Sequence, residues 1–131
     1  MKRALSTHLF ANHELSVTTL NGILRADLPE IEIFCARQHF DYTNATQLRE
    51  LAAWFGDHAL VVGSLHAPMY KDFDWGRSSG PAINIAELDQ HRRLESVEEI
   101  KRALDVAERI PFRYLVLHLG VAHEQFELAK F

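Results

Sequence analysis

Short apolar runs alternate along the chain with longer segments of helical spacing. The short runs, Ala4–Leu9, Glu30–Cys35, Leu60–His66 and Arg113–Leu119, read as β-strands. The first helix is expected from Glu14 to about Ala26, with Asn12 or His13 as N-cap and Asn12 the better chemistry. Asp27-Leu28-Pro29 ends it, because proline cannot continue a helix. The second runs from Ala45 to about Phe55, with Asn44 as N-cap and Gln47 as its capping partner. Its buried stripe is expected at Leu48, Leu51, Ala52 and Phe55, with Gly56 as stop signal. The third spans about Asp89–Arg109, with Leu94, Val97, Ile100, Leu104 and Ala107 inward and Pro111 closing it. A last helical piece covers His123–Phe131, and the chain ends about two turns into it. Strands alternating with helices imply an α/β fold with a parallel sheet, here four β/α units.

Alternate residues of a strand share a face. One face collects Ala4, Ser6 and His8, Glu32 and Phe34, Val62, Ser64 and His66, and Tyr114, Val116 and His118. The other collects Leu5, Thr7 and Leu9, Ile31, Ile33 and Cys35, Val61, Gly63 and Leu65, and Leu115, Leu117 and Leu119. The second set suits burial under helices. The first is small, polar or ionisable, and suggests the lumen of a barrel rather than one side of a sheet buried on both faces.

Three strands end in histidine, at His8, His66 and His118, and the fourth leads to His39 and Asp41. Parallel strands place such ends on the side where ligands bind. His66 and His118 are therefore candidate metal ligands or substrate contacts, against the simpler reading of polar residues at an open rim. His8 is a candidate substrate contact or a structural hydrogen-bonding group. Asp41 is a candidate to fix the tautomer of His39. Glu32 in a lumen needs a partner or water, and is a candidate acid/base or ion-pair member. Ala67 to about Leu88 is a long excursion, and Tyr70, Phe73 and Trp75 in it could stack on a sugar or anchor the loop. Arg92 and Arg93 are candidate phosphate contacts or a solvated helix face.

Composition narrows the classes. The 131 residues are 47% apolar and 24% charged, which fits one globular domain. The net charge of −4 disfavours nucleic acid and anionic membranes as partners. No run approaches the ~20 apolar residues of a membrane span. Cys35 is the only cysteine, so no intrachain disulfide forms; it is expected to be an inert core residue. With no signal peptide evident, a cytoplasmic location is expected.

The strand-end motifs STHLF, EIEIF with HFDY, SLHAPMY and LVLHLG occur in order, with NIAELDQHRRLESVEEIKRALDVAERI between the last two. Together they resemble the xylose isomerase-like (β/α)₈ barrel superfamily of sugar phosphate isomerases and epimerases and the endonuclease IV repair enzymes. The resemblance covers essentially the whole chain. That barrel runs to roughly 250 residues or more, so this chain corresponds to its amino-terminal half, a half barrel of TIM type. The resemblance implies a divalent metal (Mn, Mg, Co or Zn) assisting proton transfer on a sugar or sugar phosphate. It places most metal-binding carboxylates on strands five to eight, outside this chain. Glu32, His66 and His118 are then the residues nearest the chemistry, with His66 and His118 as metal ligands by analogy with endonuclease IV. His8, His39, Trp75 and Arg93 are the expected substrate contacts. The chain alone is expected to be inactive. The alternatives are an endonuclease IV-like repair enzyme, or a non-catalytic fragment that forms a homo-oligomer through its open sheet edges.

Overall fold

The computed structural model describes residues 3–70 and 82–121. In chain order the elements are β1 (Ala4–Ser6), a 3-10 turn (Thr7–Phe10), α1 (Val17–Arg25), β2 (Glu30–Phe34), α2 (Ala45–Asp57) and β3 (Val61–His66). α3 (Gln90–Leu104), a second 3-10 turn (Asp105–Glu108) and β4 (Tyr114–Val116) follow. The four strands form one parallel sheet in the order β1-β2-β3-β4. The helix expected at His123–Phe131 lies outside the described residues, as do Phe73 and Trp75. Among the described residues, no helix is long and apolar enough to cross a membrane.

All three helices cover the same face of the sheet. Ile31, Ile33 and Leu65 meet Leu20 and Ile23 of α1, Leu51 and Trp54 of α2, and Ala103 of α3 in a single cluster. The three sheet residues expose no surface, and burial of each contributes about 2 kcal/mol. Across the opposite face, Ser6, Glu32, Ser64 and Tyr114 line up in register from β1 to β4.

The division of faces differs from expectation in one strand. Ile31 pairs with Val62 but Glu32 pairs with Ser64, so β3 carries an extra residue, Gly63. This bulge reverses the alternation below it. Val62 faces the helices and is buried, whereas Val61 lies on the open face, 49% exposed. Glu30 crosses over Gly63 to reach Arg113, and a Cβ at Gly63 would stand 1.8 Å from the Glu30 carboxylate.

Element boundaries move where side chains take over backbone bonds. β1 stops at Ser6 rather than Leu9. The Thr7 Oγ1 accepts the Phe34 N–H at 2.9 Å, and the Ser6 hydroxyl accepts the His8 N–H, so the chain turns. α1 starts at Val17 because the Leu15 N–H is bonded to the His39 carbonyl at 2.7 Å. Ser16, not Asn12 or His13, supplies the N-cap. Asn44 caps α2 as expected, accepting from the N–H groups of Thr46 and Gln47. Gln47 does not reach back to Asn44. It accepts the Asp41 N–H at 2.8 Å and donates to the Leu15 carbonyl at 3.2 Å.

α3 is rotated relative to its apolar pattern. Ser96, Glu99, Ile100 and Ala103 are buried, whereas Leu94 and Leu104 are 53% and 40% exposed. A polar anchor fixes this rotation. The buried Glu99 carboxylate accepts from Tyr42 Oη, from Arg37 Nη2 at 2.6 Å and from Arg102. Burial pushes the Glu99 carboxyl up, but hydrogen bonds from Tyr42 and Arg37 outweigh it and hold the group below its ordinary value. Burial and the Glu99 bond raise the Tyr42 phenol. Glu99→Ala leaves the Arg37 guanidinium and the Tyr42 hydroxyl without their acceptor, and should cost about 3 kcal/mol in urea unfolding at pH 7. Since the folded carboxyl titrates below its ordinary 4.5, the wild-type advantage is full above that pH and should shrink as pH falls beneath it.

Candidate functional site

Successive strand ends carry a row of rings. His8 follows β1, Phe34 ends β2, His66 ends β3 and His118 lies two residues beyond β4. The His8 and Phe34 rings meet edge to face with centroids 4.5 Å apart. Phe34 to His66 is 5.0 Å and His66 to His118 is 5.1 Å, both tilted. One layer below, Glu32 is clamped between two serines. Its Oε1 accepts from Ser6 Oγ at 2.8 Å and its Oε2 accepts from Ser64 Oγ at 3.2 Å. These hydroxyls meet the requirement that a carboxylate at a partly buried position be hydrogen-bonded.

Together Ser6, His8, Glu32, Phe34, His66 and Met69 line an open cleft of about 280 Å³. His118 stands at its edge and also borders a neighbouring, mostly apolar hollow of about 390 Å³ with Met69, Tyr70, Ile83 and Leu119. Glycine is required beside that hollow. Gly120 has φ +84°, and a Cβ there would stand 2.0 Å from Asn84 Oδ1. The Asn84 side chain donates to the Val121 carbonyl at 2.8 Å and so ties the loop before α3 to the segment after β4.

His39 lies behind the cleft, not in it. It is fully buried. Its Nδ1 lies 2.6 Å from the His13 carbonyl, which can only accept, so Nδ1 carries the proton. The bare Nε2 then accepts from the Thr7 hydroxyl at 3.0 Å, and Thr7 Oγ1 accepts the Phe34 N–H. This relay joins the end of β1 to the end of β2 and sets the His8 ring beside Phe34. Both ring nitrogens of His39 are spent inside the protein, which corrects its reading as a substrate contact. Asp41 does not orient it; its carboxylate accepts from the backbone and hydroxyl of Thr43.

Of the remaining candidates, Arg93 spends its guanidinium on the carbonyls of Glu87, at 2.6 Å, and Leu88, and so braces the entry to α3. Arg92 is exposed on the first turn of that helix. Trp75 lies outside the described residues. Cys35 is buried, and burial followed by the nearby Glu32 charge pushes its thiol well above the ordinary value, which keeps it protonated and unreactive. The structure thus brings His8, Glu32, His66 and His118 together and separates His39 and Arg93 from them. Phe34, Met69 and the serine clamp were missed as site residues. Period-two alternation from Glu32 already put Phe34 on the same face.

The fit to a metal is incomplete. His66 donates Nδ1–H to the Ala67 carbonyl at 2.9 Å, which leaves Nε2 as its ligating atom. His118 would be the second ligand. Among the described residues, no group of three or more His, Cys, Asp or Glu side chains is placed to hold an ion, and zinc ordinarily takes three or four protein ligands. No family model, curated protein or solved structure matches the chain.

Two outcomes test the relay. Thr7→Val removes the acceptor of Phe34 N–H and the donor to His39, and should cost about 2 kcal/mol in denaturant unfolding. Burial lowers the His39 imidazole below its ordinary 6.5, against the raising effect of the His13 carbonyl. The unfolded chain therefore takes up a proton that the folded chain refuses. Stability should be full above about pH 6.5 and decline as pH falls below it, and His39→Gln should flatten that decline in parallel urea titrations.

Proposed function

We propose that this chain is the amino-terminal half of a xylose isomerase-like (β/α)₈ barrel, and that its ring-lined cleft is part of a sugar-binding rim of the isomerase and epimerase kind. The observation that carries this reading is the row His8–Phe34–His66–His118, one ring from each successive strand end, above a carboxylate held by two serines. Such a surface suits a polyol. Imidazoles donate to or accept from hydroxyls, and the Phe34 ring offers an apolar face to the C–H side of a sugar.

Each group has a distinct part in this reading. His66, with Nδ1–H spent on its own backbone, presents Nε2 as an acceptor for a sugar hydroxyl. His118 and His8 contact hydroxyls farther along the same row. Glu32 orders the cleft floor through Ser6 and Ser64 rather than reaching the rim as a proton carrier. The described residues supply neither a complete metal set nor a second carboxylate beside Glu32 in the cleft; in this reading the proton transfer belongs to the other half of the barrel. The chain then binds and orients but does not turn over.

Titration with an aldose, a ketose and their phosphates, followed through the imidazole C–H signals by NMR, tests this. Millimolar binding should shift His8, His66 and His118 and leave His39 unmoved. His66→Ala should weaken binding about tenfold, the scale of a hydrogen bond or two. No isomerised product should accumulate. Shifts confined to other histidines, or turnover by the purified chain, would refute the assignment.

A further inference from the structure

We infer that Thr7 and His39 form a proton-operated latch on one end of the ring row: when His39 takes up a proton, the turn carrying His8 lets go of Phe34, while Phe34, His66 and His118 keep their places.

The row contains joints of two kinds. Phe34 and His66 are register partners in the β2–β3 ladder, and the Cys35 N–H bonds the His66 carbonyl at 3.0 Å. His66 in turn pairs with Val116, whose carbonyl accepts the Ala67 N–H at 2.9 Å, and the Leu119 carbonyl beyond His118 accepts the Ala86 N–H at 3.1 Å. Main-chain groups do not titrate, so the backbone at these two joints is indifferent to pH. The joint between His8 and Phe34 differs. β1 leaves the ladder at Ser6, opposite Glu32, and from there side chains make the bonds. Thr7 Oγ1 stands in for the next rung by accepting the Phe34 N–H, and its hydroxyl points at His39 Nε2. Ser6 is a second tie, accepting the His8 N–H at 3.3 Å and donating to Glu32. Of the turn's apolar side chains, Leu9 is 72% exposed and Phe10 is only partly buried, so hydrogen bonds carry much of its attachment.

The latch depends on one direction of donation. His39 Nδ1–H donates to the His13 carbonyl, the bare Nε2 accepts from Thr7, and the Thr7 oxygen is left to accept from Phe34. A proton at Nε2 makes the ring a donor at both ends. Thr7 Oγ1 then faces two N–H groups, and its own proton loses its acceptor in a side chain that exposes no surface.

The surroundings give the charged ring no counter-ion. Burial is the largest influence and opposes charge on His39; the His13 carbonyl favours it, and the imidazoles of His8 and His13 oppose it. Glu14, before α1, accepts from Gln47 of α2, and Asp41, in the loop after β2, accepts from Thr43. Opening the turn hydrates both the ring and the Thr7 hydroxyl. The open form therefore takes up a proton that the closed form refuses, and gains ground as pH falls. His8 lines the cleft with Glu32, Phe34 and His66, so the open latch removes the imidazole wall on the β1 side. A ligand gripped by that wall is released in acid. This inference concerns the geometry of the rim and does not rest on the sugar reading.

Amide hydrogen exchange of the full chain, expressed as protection factors while the pH is lowered from neutral to the onset of acid unfolding, tests the latch. Phe34 should lose about tenfold in protection, the scale of one hydrogen bond, before Ile33 and Leu65 of the core lose any. Nuclear Overhauser contacts between the His8 and Phe34 rings should fade over the same range while those between Phe34 and His66 persist. Thr7→Ser keeps the hydroxyl and should behave as the wild type. Thr7→Val should leave Phe34 poorly protected at every pH, and His39→Gln, neutral throughout, should remove the pH dependence. His8→Phe takes away the row's own imidazole and should leave the loss at Phe34 in place, which separates the latch from titration of His8. If Thr7→Val or His39→Gln fails to fold, the wild-type profile with Thr7→Ser and His8→Phe decides. Loss of Phe34 protection only in step with Ile33 and Leu65, a pH dependence abolished by His8→Phe, or one abolished by Ser6→Ala and kept by His39→Gln would each overturn the latch.

Discussion

A parallel strand can be followed by a parallel neighbour only if the chain crosses over one face of the sheet and returns. This chain crosses over the same face three times, and its strand order is its sequence order. Every strand therefore ends at one edge, and whatever residue ends a strand joins the same row. The candidate site follows from that constraint. Helices occupy the crossover side and bury Ile31, Ile33 and Leu65, so polar groups are left to the other side, where Glu32 finds two serines instead of a cation.

Much of this was legible in the sequence because it depends on short-range periodicity. Four apolar runs in alternation with helical spacing specify parallel β/α units. Strand alternation correctly put Glu32, Ser64, His66 and Tyr114 on one side and Ile31, Ile33 and Leu65 on the other. The Asn44 cap could be read because its acceptor serves N–H groups two and three residues away. The polar staples could not. Gln47 bonds Asp41 and Leu15, and Glu99 bonds Arg37 and Tyr42, partners separated by up to 62 residues in sequence. Helical spacing on α3 ranks leucines above glutamate, and a long-range ion pair overrides that ranking. Leu94 and Leu104 face outward as a result.

The same limit explains His39. A histidine two residues before an aspartate in a loop after a strand reads as a surface contact. Burial turns it into a fixed-tautomer bridge that holds two strand ends together. Its relation to the rim is indirect: it braces the backbone from which His8 and Phe34 project. Loop residues acquire such roles through neighbours distant in sequence, here Thr7 and His13, which no local pattern names.

The supernumerary Gly63 decides what the rim is made of. Below it Val62 points to the helices; above it Leu65 does, an odd interval that simple alternation forbids. Were Gly63 instead taken into the regular ladder with Val62 still anchored inward, strict alternation would turn the imidazole of the third strand under the helices and put a leucine in the cleft. A single backbone unit without a side chain, roofed by the Glu30 carboxylate, thus separates a polar mouth from a greasy one.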